Sequence, residues 1–185
     1  MKLHVVICST RPGRQGGPVA EWFFSSAQAE GSFEVELVDL VEVGLPLFDE
    51  AHHPRLQKYE HEHTKRWSAK VSEADAFVFV LPEYNFNPPP SFANAIDYLM
   101  VEWGYKPAAF VSYGGISGGL RAVQVAKGFL TTLNMMPIPE GVVLPMFGKQ
   151  LEDGVFKPTE ANEAAAKAVL GALHRWAGAL LPLRA

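Results

Sequence analysis

Three nearly continuous apolar runs stand out along the chain, at residues 3–8, 76–81 and 108–112. Runs of this length without polar alternation are typical of parallel strands that helices cover on both faces. We therefore expect these three segments to be the central strands of one sheet.

Two further segments have the pattern of edge strands. Residues 33–38 alternate between apolar and charged side chains, and the segment before residues 142–144 carries Pro137 and Pro139. Proline removes a backbone donor and is tolerated mainly at sheet edges. The chain thus predicts five strands, of which the second and fifth in sequence lie outside.

Apolar residues at a spacing of three to four occupy the stretches between the strands and predict five helices. The alternation of strands and helices predicts a single α/β domain over residues 1–185. With right-handed crossovers, the simplest arrangement is a flavodoxin-like three-layer sandwich, a five-stranded parallel sheet of order 2-1-3-4-5 with helices on both faces. The predicted helices span residues 18–29, 64–74, 91–100, 119–133 and 160–180.

Three distinctive loops follow the three predicted central strands, at residues 9–17, 82–90 and 112–119. Loops that leave the carboxyl ends of neighbouring parallel strands line one crevice, and ligands bind there. We therefore expect one pocket formed by three loops, with one nucleotide-like ligand.

The first loop has the residues of an anion site. A helix that begins at Gly17-Pro18 directs its free N–H groups and its positive dipole end into the loop. Ser9 can donate a hydroxyl hydrogen, and Arg11 and Arg14 can neutralise a phosphate. The alternative is a surface loop whose two arginines are solvated.

Several other classes of protein with a similar fold or loop are excluded because their characteristic motifs are missing. The loop is not a Walker A loop, because Gly-x-x-x-x-Gly-Lys-Ser/Thr is absent. Gly-x-Gly-x-x-Gly is also absent after the first strand, so Asp39 is interpreted as a surface residue that ends the second strand rather than as a ribose ligand. A receiver domain needs acids where this chain has Cys8 and Ser9.

The second loop, residues 82–90, is rich in proline and therefore rigid. Such a loop can hold main-chain groups and an aromatic side chain at fixed positions, which suits the edge of a planar heterocycle. A stiff connector before the helix at Ser91 is the alternative interpretation.

Taken together, these motifs resemble the NADPH-dependent FMN reductases of flavodoxin-like fold, which include quinone and azo-dye reductases. The resemblance extends over essentially the whole chain. One departure is visible at Phe92-Ala93, where many members have a lysine. The residues that carry the resemblance are Ser9-Thr10-Arg11-x-x-Arg14, Pro82-Glu83-Tyr84-Asn85, Asn94-Ala95-Ile96-Asp97-Tyr98, and Ser112-Tyr113-Gly114-Gly115 with Gly118-Gly119-Leu120-Arg121-Ala122.

The resemblance implies non-covalent FMN, with NADPH or NADH as the electron donor and a homodimer or homotetramer paired through helices that flank the flavin. It places the phosphate at Ser9, Arg11 and the backbone from Gly16 through Gly17 and Pro18 to Val19, with Arg14 nearby. The isoalloxazine is expected against Pro82, Glu83, Tyr84 and Asn85, with Ser112, Tyr113, Gly114 and Gly115 at its other edge.

The implied activity is hydride transfer from a reduced nicotinamide to FMN and on to a quinone, free flavin or similar acceptor in a ping-pong cycle. Because the cofactor supplies the hydride chemistry, we assign no catalytic residue. One alternative is a flavodoxin-like electron carrier, and another is a non-redox module for AMP-like ligands. An arginine in the first turn of a helix opposes the dipole, so Arg121 is expected to have an anionic partner, Asp97 being preferred to a phosphate.

Composition also limits the partners and the cellular location that we expect for this protein. The net charge of −4 gives no field that favours nucleic acid or an anionic membrane, and the single Cys8 precludes an internal disulfide. A cytoplasmic protein without a membrane span is expected. His52, His53, His61 and His63 lie in a charged stretch without cysteine, which indicates a solvated loop rather than a metal site.

Overall fold

A five-stranded parallel sheet forms the centre of the molecule, whose computed structural model describes residues 1–184. The strands span β1 Lys2–Ile7, β2 Glu34–Asp39, β3 Ala76–Pro82, β4 Pro107–Tyr113 and β5 Met136–Leu144. Their order in the sheet is β2-β1-β3-β4-β5, so the predicted flavodoxin-like topology is confirmed. Every residue of β3 and β4 is buried, as their continuous apolar sequences require.

Helices cover both faces of this sheet. The helices span α1 Gly16–Glu30, α2 Leu40–Val43, α3 Glu62–Ser72, α4 Pro90–Asp97, α5 Leu120–Thr131 and α6 Glu160–Leu180. One face packs on α1 and α6 through a core that includes Val5, Phe23 and Leu173, and the other packs on α3, α4 and α5 around Phe79 and Trp103. The fold thus has the three layers that the alternating pattern predicted.

The structure differs from the sequence prediction mainly at the ends of elements. Helix α1 begins at Gly16, two residues before Pro18, and α4 ends at Asp97 rather than near residue 100. The short helix α2 and an antiparallel hairpin, β6 Leu151–Glu152 and β7 Val155–Phe156, were not predicted. A segment of four residues or fewer has too few positions to show a hydrophobic period.

Strand β5 lies at the edge of the sheet, as Pro137 and Pro139 within it predicted. Ala108 of β4 pairs with Pro137, and Phe110 pairs with Gly141, so the register between β4 and β5 shifts between these two pairs. An edge strand can accept this irregularity because one side of its backbone has no strand neighbour. No helix among residues 1–184 is long and apolar enough to cross a membrane.

Candidate flavin site at the carboxyl edge of the sheet

The loop between β1 and α1 leads into a helix start whose backbone N–H groups are not capped by a side chain. The residue before α1, Gln15, makes no side-chain capping hydrogen bond, and the first turn of α1 contains no acid. The N–H groups of that turn therefore lack a side-chain acceptor, and the helix dipole adds positive potential there. This part of the site suits an anion.

The two arginines of this loop have different surroundings. Arg14 donates to both carboxylate oxygens of Asp39 and, at 2.8 Å, to the carbonyl oxygen of Ser9. The side chain of Arg11 is exposed, and its guanidinium has no hydrogen-bond or ion-pair partner among residues 1–184. Arg11 is therefore the arginine that is free to meet a ligand, whereas Arg14 braces the loop against the end of β2.

Asp39 consequently has a structural role that the sequence interpretation missed. Asp39 is the last residue of β2, and its side chain forms an ion pair with Arg14. The same carboxylate accepts a hydrogen bond of 2.9 Å from the backbone N–H of Val41 and thereby caps α2. It is a largely buried anchor rather than a solvated surface residue.

The loop after β3 contains a tight two-residue turn. Tyr84 and Asn87 exchange backbone hydrogen bonds of 2.9 and 3.0 Å around Asn85 and Phe86, both of which have positive φ. Asparagine tolerates this backbone region, but a bulky residue such as Phe86 does so at a cost in free energy. The guanidinium of Arg121 lies 3.8 Å from the centre of the Phe86 ring and stabilises this conformation.

Glu83 connects the loop after β3 to the first turn of α5. Its carboxylate accepts from the hydroxyl of Ser117 at 2.8 Å, from Nε of Arg121 at 2.7 Å and from the backbone N–H of Arg121 at 3.2 Å. Burial of this carboxyl raises its pKa, but the Arg121 and Ser117 donors outweigh that effect, and the net pKa is lowered. The expected carboxylate partner of Arg121 thus exists, but it is Glu83 and not Asp97.

The loop after β4 supplies the opposite wall. Gly114 has little room for a side chain, because a Cβ there would lie 3.2 Å from the backbone nitrogen of Gly119. The Tyr113 ring packs against Phe147 with ring centres 4.8 Å apart, and its hydroxyl donates to Oγ of Ser9 at 3.2 Å. Tyr113 therefore reaches across to the first loop instead of staying at the end of its own strand.

A fourth loop, after β5, completes the site and was missed in the sequence. The backbone N–H of Met146 donates to the carbonyl oxygen of Gly115 at 2.8 Å, which ties this loop to the one after β4. Phe147, Gly148 and Lys149 follow it. The available signal was topological, because β5 also ends at this edge of the sheet.

The four loops enclose one open cavity of about 410 Å³. The structure brings eight predicted residues to its wall and leaves others aside: Ser9, Val19 and Ser112 are fully buried, Gly16 packs beneath Tyr113, and Gly17, Pro18 and Asn85 lie outside the lining. The lining consists of Arg11, Arg14, Gln15, Pro82, Glu83, Tyr84, Tyr113, Gly114, Gly115, Met146, Phe147, Gly148 and Lys149.

None of the four histidines singled out in the sequence, His52, His53, His61 and His63, is part of the cavity lining. His61 precedes α3 and its ring stacks on that of His63, which contacts Asp49 at 3.0 Å. Among residues 1–184 the one group with metal-ligand spacing is His4, Glu36 and Glu73, but Lys2 and Lys70 each bind both of its carboxylates.

An open parallel sheet with a cavity at its carboxyl edge, an anion-binding helix start and a rigid proline-rich loop defines the flavodoxin-like class of mononucleotide-binding proteins. Residues 1–149 match the NADPH-dependent FMN reductase family. An NAD(P)H-dependent FMN reductase of Schizosaccharomyces pombe is 37% identical over 161 residues, covering 85% of this chain and 79% of the relative.

Two further proteins are similar to this chain, one in sequence and one in fold. A quinone reductase of Pseudomonas putida is 36% identical over 110 residues, covering 55% of this chain and 58% of the relative. The flavoenzyme NAD(P)H:acceptor oxidoreductase of Paracoccus denitrificans has a TM-score of 0.73 at 22% identity, covering 96% of this chain and 97% of that one; at that identity the likeness shows the fold.

This chain belongs to the NADPH-dependent FMN reductase family. As a member it is an oxidoreductase with FMN as its cofactor and NAD(P)H as its electron donor, which confirms what the motifs in its loops implied.

Proposed function

We propose that this protein passes electrons from NAD(P)H through FMN to a quinone, a free flavin or a similar small acceptor in a ping-pong cycle. The observation that carries the proposal is one cavity that is lined both by Arg11, Arg14 and Gln15, directly before the start of α1, and by the rigid loops after β3 and β4. A positively charged end and a flat slot between loops match the phosphate and the planar ring of FMN.

The residues around the cavity fit this cofactor. Gly16 lets the Tyr113 hydroxyl approach the first turn of α1 closely, since a Cβ there would lie 2.6 Å from the hydroxyl oxygen. Arg11 supplies an unpaired positive charge, and Tyr84 with Gly114 and Gly115 forms two walls that a flat ring can enter. Arg14 and Glu83, both expected to touch the cofactor, act in this proposal by holding the loops.

FMN, when bound, supplies the hydride-accepting and hydride-donating chemistry. The protein's part is to orient the ring, limit water and leave one ring face open to donor and acceptor in turn. No proton-transfer residue is needed for that part, and Glu83 is occupied by Arg121 and Ser117.

An experiment with the FMN-loaded protein separates an enzyme from an electron carrier. NADPH mixed with it in a stopped-flow instrument should bleach the visible flavin band within seconds, and a subsequent addition of benzoquinone should restore the band. Initial rates at several quinone concentrations should give parallel double-reciprocal lines. A band that NADPH leaves unbleached contradicts the enzyme, and intersecting lines contradict the ping-pong order.

Exposed apolar side chains support the proposal of a homodimer or homotetramer. Phe86, Ile116 and Leu120 lie on the loops after β3 and β4 and at the start of α5, and each is about half exposed or more. Light scattering should give at least twice the mass of one chain for the natural sequence, and the mass of one chain for a double variant, Ile116→Glu with Leu120→Glu. A natural chain that stays monomeric would refute the assembly.

A further inference from the structure

The amino edge of the sheet, opposite to the flavin cavity, carries charged side chains around one buried histidine. His4 of β1 pairs in register with Glu36 of β2, and Glu73 directly follows the last residue of α3. His4 has no exposed surface, and its Nε2 lies 3.5 Å from Oε2 of Glu36 and 3.8 Å from Oε1 of Glu73. This ring nitrogen therefore faces both carboxylates.

Neither ring nitrogen of His4 makes a hydrogen bond within the part of the chain that the structure describes. A buried polar atom without a partner costs free energy, so such an atom in a native fold calls for an explanation. Burial lowers the pKa of His4 to about 4, and the ring is therefore neutral at neutral pH. A neutral imidazole can offer the lone pair of Nε2 to a metal ion.

The three candidate ligand atoms have the spacing of a metal site. Nε2 of His4 and one carboxylate oxygen each of Glu36 and Glu73 all lie within 4.8 Å of one another. Zn²⁺ binds imidazole nitrogen and carboxylate oxygen at about 2.0–2.1 Å, so two ligand atoms of a tetrahedral site are about 3.3 Å apart. The two distances from Nε2 need only a small movement to reach that value.

Two lysines already hold positive charge between the carboxylates. Nζ of Lys2 lies 2.8 Å from Glu36 and 2.9 Å from Glu73, and Nζ of Lys70 lies 2.7 and 2.6 Å from the same two residues. Hydrogen bonds from Lys70 and Lys2 lower the pKa of Glu73 to about 2, so this carboxylate stays charged. Both lysine side chains are partly exposed and have flexible stems, so an incoming ion can displace an ammonium group into water.

We propose that His4, Glu36 and Glu73 form a site for a divalent transition-metal ion of the Zn²⁺ class. Lys2 and Lys70 compete with the ion for the two carboxylates and thereby limit its affinity. The ion joins β1, β2 and the end of α3, and water completes its coordination. One nitrogen ligand with two oxygen ligands suits Zn²⁺ better than Mg²⁺, which prefers oxygen and keeps its own water. The site is independent of the proposed function, because FMN is expected at the other edge of the sheet.

Calorimetric titration of the full chain with zinc chloride at neutral pH, after treatment with EDTA, tests the inference. We expect the natural chain to bind one ion. Glu73→Gln takes away a carboxylate ligand and should weaken binding at least about tenfold. Lys70→Met removes a competing ammonium group but no ligand, so it should tighten binding several-fold. Zn²⁺ should also raise the unfolding temperature of the natural chain, because the site exists only in the folded state.

His4→Gln removes the nitrogen ligand, and Co²⁺ is the probe for this variant. The visible absorption of bound Co²⁺ should change when nitrogen is lost from its ligands. Because a substitution at a fully buried residue can also unfold the chain, the partly exposed Glu73 and Lys70 keep the test independent of His4.

The matched control is a double variant, His61→Gln with His63→Gln. These stacked histidines beside Asp49 are another place where Zn²⁺ can meet imidazole and carboxylate groups, and their removal should leave the affinity unchanged. A natural chain that binds no Zn²⁺ at millimolar concentration would overturn the inference, as would binding that Glu73→Gln leaves unchanged or that the control variant loses. Equal affinity in Lys70→Met and in the natural chain would overturn the competing role of the lysines.

Discussion

Among the single residues, Arg11 supplies a positive charge to the cavity wall, and a substitution can test its role directly. Its guanidinium has no hydrogen-bond or ion-pair partner among residues 1–184, so it is available to a phosphate without breaking an existing ion pair. We expect Arg11→Ala to weaken FMN binding by roughly 1–3 kcal/mol, the usual contribution of a charged hydrogen bond.

The measurement is the FMN dissociation constant, with Arg175→Ala as the matched control. Arg175 is an exposed arginine on α6 outside the cavity, so its removal should leave FMN affinity unchanged. An Arg11→Ala protein that binds FMN like the natural chain would show that the phosphate is neutralised elsewhere.

The sequence identified the residue types of the site but not their partners. Arg11 and Arg14 are three positions apart in one loop and look equivalent, yet Arg14 meets Asp39 because β2 ends beside β1 in the sheet. Arg121 was expected to have a carboxylate partner, and Glu83 takes that place rather than Asp97. Pairings between loops depend on how the loops fold over the sheet edge, and local sequence carries no record of that.

At the scale of elements, Glu83 caps a helix to which it does not belong. The residue before α5 is Gly119, which has no side chain to offer, and Glu83 accepts the N–H of Arg121 from across the site. We expect Glu83→Gln to lower the free energy of unfolding by about 1–2 kcal/mol, a value reduced by solvent screening because Arg121 is about half exposed.

This contribution should depend on pH. The folded protein lowers the pKa of Glu83, so the stabilisation is complete above the ordinary glutamate pKa of about 4.3 and is lost as pH falls through the lower folded value. Urea unfolding of the natural chain and of Glu83→Gln should therefore converge in acid. Glu62→Gln removes an exposed carboxylate from an i,i+3 pair and is the control, with an expected change under 1 kcal/mol. A gap between the natural chain and Glu83→Gln that is constant with pH would contradict the assignment.

Elements with local signals were predicted well, and elements that depend on distant contacts were not. Helix α6 spans the predicted residues because Thr159 and Asn162 form a capping box within the segment itself. The loop after β5 became part of the site only through its bond to Gly115 and the packing of Phe147 on Tyr113. The residues near position 147 contain no pattern that would predict either contact.

At the scale of the whole molecule, a buried histidine near the amino ends of the strands links stability to pH. His4 is fully buried on Phe77, and burial lowers its pKa to about 4 even though Glu36 and Glu73 lie 3.5 and 3.8 Å from its Nε2. Between pH 6.5 and 4 the unfolded chain therefore binds a proton at His4 that the folded chain does not.

Stability should consequently fall as pH drops through this range, with His4 contributing about 3 kcal/mol of the change. His4→Leu should remove that part of the slope in the free energy of unfolding, while His52→Gln, which changes a half-exposed histidine, should leave the slope as it is. An unchanged slope in His4→Leu would show that other groups cause the acid sensitivity.

A crystal structure of the protein grown with FMN would show whether the cavity where the four loops meet holds this cofactor. We expect electron density for the phosphate at the first turn of α1 beside Arg11, and for the ring between Tyr84 and the Gly114-Gly115 turn. Density for the flavin at another place on the molecule, or in this cavity with the phosphate directed away from α1, would contradict this placement of the cofactor.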